Sequence, residues 1–219
     1  MSLICVIDTE TTGLPEDPDA AVIEVAASIW DMSRGEEVRC WSTLVKPPSW
    51  GNQGKRIALE VSGIDPELVE AHGEDPVMAL MRLLDFAKNL PLHAWNRSFD
   101  EEMVRRMDPR ERRLSREDLW GPCLMREFSV VARGDADLRS KLQYAYEQCG
   151  FPFHEESAHR ALADARMSAR CIHHIRSGGK LERKGWMDRP KPEPPAPHEN
   201  AGKRKWTRAG FVDAAGGAA

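Results

Sequence analysis

Apolar and polar positions change period several times along the chain. Ile4, Cys5, Val6 and Ile7 form an unbroken apolar run, β-branched at three of its positions, which predicts a strand buried on both faces. Ala21–Trp30 (AVIEVAASIW) predicts a second strand, with Val22, Glu24, Ala26 and Ser28 on one face and Ile23, Val25, Ala27 and Ile29 on the other. Residues 31–35 read as a hairpin turn. Residues 37–45 read as a third strand, alternating through Val38, Cys40 and Leu44 and stopped by Pro47 and Pro48. Three strands with short links predict an antiparallel meander in which the first strand is a central or inner member.

After an irregular stretch at 49–73, the period becomes helical. Residues 75–88 (DPVMALMRLLDFAK) predict an amphipathic helix capped by Asp75 and opened by Pro76, with Val77, Leu80, Met81, Leu84 and Ala87 as its apolar stripe. A short strand at 90–95 leads into Asn96-Arg97-Ser98-Phe99-Asp100 and a helix through Met107. Residues 118–131 give no clear period. Residues 137–149 predict a helix with Leu138, Leu142, Ala145 and Tyr146 on one face, ended by Gly150. Residues 158–175 predict a last helix, striped by Leu162, Ala165, Met167 or Ala169, and Ile172. A meander followed by strand and helix alternation implies an α/β domain with a mixed sheet.

From Lys180 the composition changes. Residues 189–197 hold five prolines among nine positions, the pattern of an extended linker. A basic cluster around Trp206 and an Ala/Gly terminus follow. The expected organisation is one folded domain over 1–179 and a Pro-rich, basic, mostly disordered tail over 180–219. The net charge of −4 gives no global attraction to nucleic acid, so any such binding rests on local basic patches. Residues 105–116 are arginine-rich and read either as a solvated helix surface or as a rim for phosphates. Cys5, Cys40, Cys123, Cys149 and Cys171 are scattered, without a C-x-x-C pair, which points to reduced thiols in the cytoplasm. No signal peptide and no membrane-spanning run is legible.

The chemistry begins where the first strand turns acidic. Asp8 and Glu10 are two positions apart on a strand, so both side chains aim at one spot. Two such carboxylates repel unless a cation lies between them, and hard oxygen ligands suit Mg²⁺ or Mn²⁺. A solvated acidic strand end is the alternative. Asp100 opens a helix directly after a short strand. His159 and Asp164 flank the start of the last helix; five residues along a helix is about 500°, so they share a site only if His159 lies in the loop or first turn.

Taken in order, Asp8-x-Glu10 with Thr11-Thr12-Gly13, then Asn96-x-x-Phe99-Asp100, then His159 and Asp164, resemble the three motifs of the DnaQ-like, or DEDDh, 3′→5′ exonucleases. The resemblance covers residues 3–176, and its wording is closest to the proofreading epsilon subunit of DNA polymerase III and its stand-alone relatives. It implies an RNase H-like fold: a five-stranded mixed sheet with helices on both sides, the fifth strand near residues 121–125. It implies two divalent metal ions held by Asp8, Glu10, Asp100 and Asp164, with His159 taking the proton from the attacking water. It implies that the Thr11 amide meets the terminal 3′-OH, that Leu14 packs on the last base, and that Asn96 shapes the turn presenting Asp100. Relatives often carry His-Gly-Ile where this chain has Ser62-Gly63-Ile64, so the substrate contact assigned to Ile64 rests on an altered motif.

The expected function is hydrolysis of single-stranded DNA from its 3′ end, releasing nucleoside 5′-monophosphates in proofreading or repair. An exoribonuclease of the same fold is the alternative, because the catalytic side chains do not sense the 2′-OH. A non-catalytic nucleic-acid-binding module is the remaining reading, opposed by the presence of all five site residues. A separate DNA polymerase chain is the expected partner, reached through the tail.

Overall fold

The computed structural model describes residues 2–108, 118–153 and 160–182, and the backbone of two strands at 204–207 and 210–213. Contacts divide the chain into two compact units, Met1–Glu182 and Arg183–Ala219. In the first, β1 (Leu3–Thr11), β2 (Val22–Asp31), β3 (Glu36–Leu44) and β4 (Leu92–His93) form a sheet in the order β3-β2-β1-β4. The β1–β2 and β2–β3 pairs are antiparallel and the β1–β4 pair is parallel, so the sheet is mixed and β1 is an inner strand.

The sheet has four strands among the described residues, not five. The chain beside β4 makes only a single parallel bridge, Leu92 to Trp120, in which the Leu92 amide donates to Leu119 and the Gly121 amide donates to Leu92. Pro122 lacks the N–H that would carry the ladder on. The chain instead turns into α5 (Leu124–Arg133), so the strand expected at 121–125 is a bridge followed by a helix.

Parity along β1 distributes the core. Cys5 and Ile7 face one side, with Val25, Ala27 and Ile29 of β2, under α3 (Pro76–Ala87) and α4 (Arg97–Arg106). Ile4 and Val6 face the other, under α5, α6 (Leu142–Gln148) and α7 (Ala161–Arg176). Helices cover both faces, the layering of an α/β domain.

Residues 49–73 are not irregular. They fold into α1 (Gly54–Ser62) and α2 (Pro66–His72), which close a small third cluster of Ile23, Ala58, Ile64 and Val69. Gly54 lets α1 approach β1's end: a Cβ there would lie 2.9 Å from the Thr12 Cβ. Gly63 adopts φ 62°, the left-handed conformation that ends a helix, and the Ile64 amide returns to the Ala58 carbonyl. The predicted helix at 75–88 forms with Asp75 as its cap, accepting from the Val77 and Met78 amides. Its buried stripe is rotated from the expected one, to Ala79, Leu80, Leu83 and Ala87, leaving Met81 exposed. Small Ala79 and Ala87 let the helix lie close to the sheet. The helix expected from residue 137 begins at Leu142, and Leu138 is exposed. In the second unit, where no strand was expected, β5 (Arg204–Thr207) and β6 (Gly210–Asp213) pair antiparallel with Trp206 opposite Phe211.

Candidate active site

Three elements converge on the C-terminal end of β1. Asp8 and Glu10 continue the parity of Ile4 and Val6, so they face α7. That helix presents Asp164 in its first turn. One carboxylate oxygen from each of Asp8, Glu10 and Asp164 lies within 4.8 Å of the others. Thr9 has the opposite parity and donates its hydroxyl to Asp100 Oδ1 at 2.9 Å. Asp100 lies in the first turn of α4 and is 3% exposed. Both helices therefore turn their N-termini, where the helix dipole favours negative charge, toward the acidic strand end.

These carboxylates are hard to ionise without a cation. Burial drives Asp8 well above the carboxylate range, and the charges of Asp100, Asp164, Glu10 and Glu24 push it further. Burial raises Glu10 to about 7, against a hydrogen bond from Ser62 that lowers it. Asp100 is also raised to about 7 by burial, opposed by the Thr9 hydrogen bond. Among the described residues, the potential ligands that gather here are carboxylates, without a thiolate, and that donor set fits Mg²⁺ or Mn²⁺.

A second tier of residues holds the first. Ser62, at the end of α1, donates its hydroxyl to Glu10 Oε2. Glu24 is directly opposite Glu10 in the β1–β2 register and is 4% exposed. Its carboxylate accepts from Arg160 Nε at 3.0 Å and Nη2 at 2.6 Å, and from the Ala161 amide at 3.0 Å. It thus caps α7 from the neighbouring strand β2, one turn before Asp164.

The loop after β1 is built on its own backbone. The Thr12 amide donates to the Ala21 carbonyl, the Ala21 amide donates to the Thr12 hydroxyl, and the Thr11 hydroxyl donates to the Gly13 carbonyl. Leu14, four residues beyond Glu10 in the chain, is 66% exposed, a large apolar side chain left in water. Asn96 occupies the turn before α4, where the Ser98 hydroxyl donates to its Oδ1. Ile64 is 4% exposed and packs in the third cluster with Ala58 of α1 and Val69 of α2. His159, expected as the base, lies outside the described residues, as does most of the arginine-rich stretch. Of that stretch, Arg106 turns its guanidinium onto main-chain carbonyls of the loop after β1.

Sequence reasoning missed Glu24, Ser62 and Thr9. Glu24 carried a signal: an acid set between Ile23 and Val25 in an otherwise apolar strand needs a partner wherever that strand is buried. Ser62 had none, being visible only as a departure from a motif.

Buried carboxylates grouped around the end of an inner strand, in a mixed α/β sandwich, define a metal-dependent hydrolase site. A family model described as exonuclease, of the RNase T type, matches residues 5–172. The chain belongs to that exonuclease family, the DnaQ-like class with the DEDDh residues, whose members work with two divalent metal ions. No curated protein matches in sequence. Among solved structures, a full-length 3′-exonuclease aligns at a TM-score of 0.63 and 17% identity, over 98% of this chain and 67% of that one. E. coli Exonuclease I in complex with a dT13 oligonucleotide aligns at 0.62 and 21% identity, over 81% of this chain and 41% of that one. The nuclease domain of 3′hExo, a DEDDh family member bound to rAMP, aligns at 0.62 and 19% identity, over 82% and 94%. The chain thus spans about two fifths of Exonuclease I and nearly all of the 3′hExo nuclease domain. Among the described residues, no helix is long and apolar enough to cross a membrane.

Proposed function

We propose that the protein removes nucleotides one at a time from the 3′ end of single-stranded DNA, releasing nucleoside 5′-monophosphates. The observation that carries this reading is the convergence of Asp8, Glu10 and Asp164 within 4.8 Å of one another, with Asp100 hooked beside them by Thr9. When bound, a pair of divalent ions supplies an acidified water and stabilises charge on the phosphate and the leaving oxygen.

The chain's own residues do the rest. Asp8, Glu10 and Asp164, with Asp100 beside them, would hold these ions. His159 accepts the proton of the attacking water, a task its unperturbed pKa of about 6.5 suits. The water oxygen bonds to phosphorus, and the bond from phosphorus to the 3′ oxygen of the preceding nucleotide breaks. The Thr11 amide receives the terminal 3′-OH, Leu14 lies on the last base, and Asn96 shapes the turn before Asp100. A role in proofreading or repair, beside a separate polymerase chain reached through residues 180–219, is the cellular setting of this reading. Reduced cysteines are consistent with the cytoplasm.

The test is degradation of end-labelled single-stranded DNA, matched RNA and mismatched duplex with Mg²⁺, by wild type, Asp8→Ala and His159→Ala. Wild type shortens DNA from the 3′ end and both variants are impaired. Full activity in both variants refutes the mechanism. RNA cleaved much faster than DNA makes the protein an exoribonuclease, a reading with which the rAMP-bound 3′hExo likeness is also consistent.

A further inference from the structure

Arg106 is the last residue of α4, six positions beyond Asp100. Its guanidinium donates to the carbonyls of Pro15, Asp17 (2.8 Å) and Ala20 (3.2 Å), three acceptors within one short loop. Its Nε donates to Glu102 Oε1 at 3.2 Å, one helical turn back, which sets the plane of the fork. No other described side chain is recorded donating to those three carbonyls, although the loop makes its own turn, with the Asp17 amide on Leu14 and the Ala20 amide on Asp17. Leu14 stands next to Pro15 and is two-thirds exposed, so neighbouring side chains do not fix it; the loop backbone does.

We propose that Arg106 is a positioning residue that determines how the terminal nucleotide is held: it fixes the 15–20 loop and, through it, the place of Leu14 relative to the metal ligands. This rests on the exonuclease reading above. α4 makes the relationship rigid. Asp100 in its first turn belongs to the reacting end, Arg106 in its last turn belongs to the base-contacting loop, and about 9 Å of helix separates them. A planar fork with five donors is needed for three carbonyls in different directions; a lysine ammonium on a flexible stem does not reproduce it.

The experiment compares two single-stranded oligonucleotides that differ only at the 3′ end, one ending in a normal nucleotide and one in an abasic nucleotide. Wild type, Arg106→Ala, Arg106→Lys, Leu14→Ala and the Arg106→Ala/Leu14→Ala double variant are assayed, with thermal melting of each. On the normal end, Arg106→Ala raises KM about tenfold while kcat stays within about twofold, the pattern of lost uniform binding. On the abasic end, wild type and Arg106→Ala coincide. The double variant is no worse than Leu14→Ala, because both act on one contact. Arg106→Lys falls between wild type and Arg106→Ala, and gives the same comparison between ends if the alanine variant does not fold. Equal losses on both ends, or a double variant in which the two losses add, overturn the proposal while leaving the exonuclease reading intact. Wild type inert toward both ends removes the exonuclease reading and this proposal with it.

Discussion

Glu24 of β2 and Arg160 form a two-pronged ion pair between the sheet and the start of α7, and the same carboxylate accepts the first amide of α7. Glu24 is nearly inaccessible, whereas the Arg160 side chain is half exposed. The pair therefore ties the start of α7, and with it Asp164, to the strand beside β1.

Glu24→Gln keeps the shape and loses the charge. Hydrogen bonds to charged groups contribute about 1.5–3 kcal/mol, and the exposed side of Arg160 can turn to water. The expected loss is about 1–2 kcal/mol, read as a lower urea midpoint with unchanged slope. Metal affinity, measured by titration with Mn²⁺, weakens too, because Asp164 rides on the freed turn. An unchanged Mn²⁺ affinity would confine Glu24 to a stabilising role.

Raised carboxylates give the metal-free fold a defined pH dependence. Glu10 and Asp100 sit near 7 when folded, against ordinary values of 4.5 and 3.8. Between those limits the unfolded chain has released protons that the folded chain still holds, so stability falls as pH rises. The contribution is full below the unfolded values and is lost through about 7. Mg²⁺ reverses the trend by binding the ionised form. At about 100 times its Kd it adds about 2.7 kcal/mol, or roughly 5–10 °C in Tm for a domain of this size. The gain is larger near pH 8 than near pH 5, and chelator abolishes it. Melting with and without Mg²⁺ across that range is the check.

Ser62→Ala removes the hydroxyl that helps hold Glu10 ionised. Glu10 then moves further above about 7. The expected result is a weaker Mn²⁺ site below neutrality, recovering as pH rises. A loss of affinity independent of pH would contradict it.

Thr9→Val preserves shape and deletes the donor to Asp100. Asp100 rises further, since that bond lowers its pKa. Asp100 keeps its backbone hydrogen bonds from Thr9 and from its own amide, so the loss of one donor costs about 1 kcal/mol, visible in denaturant unfolding. The pH–rate profile moves to higher pH with little change at its alkaline plateau.

The acidic end of β1 was legible because strand parity alone puts Asp8 and Glu10 on one side. Asp75 and Pro76 announced their helix for equally local reasons. What stayed hidden has physical causes. The buried stripe of α1 is Gly54, Ala58 and Ser62, small or polar, while Leu59 and Val61 face solvent. No apolar period exists there to be read. Trp120 makes one bridge, too little for a strand pattern. The stripe of α3 was misplaced by one side because Ala79, not Val77, is what close approach to the sheet selects. Glu24 and Ser62 act through distant partners, and sequence spacing does not reveal pairs 136 and 52 positions apart.

β1 is apolar on both faces, with Cys5 and Ile7 in one core and Ile4 and Val6 in the other. Sliding it by one residue would exchange two oily sets at modest cost, so greasiness alone does not choose its alignment. The choice falls to its polar terminus, where Thr12 closes twice on Ala21, Thr9 finds Asp100, and Glu10 finds Ser62. The polar contacts that gather the acidic residues at the end of β1 are thus also the address label by which the strand finds its own place in the sheet.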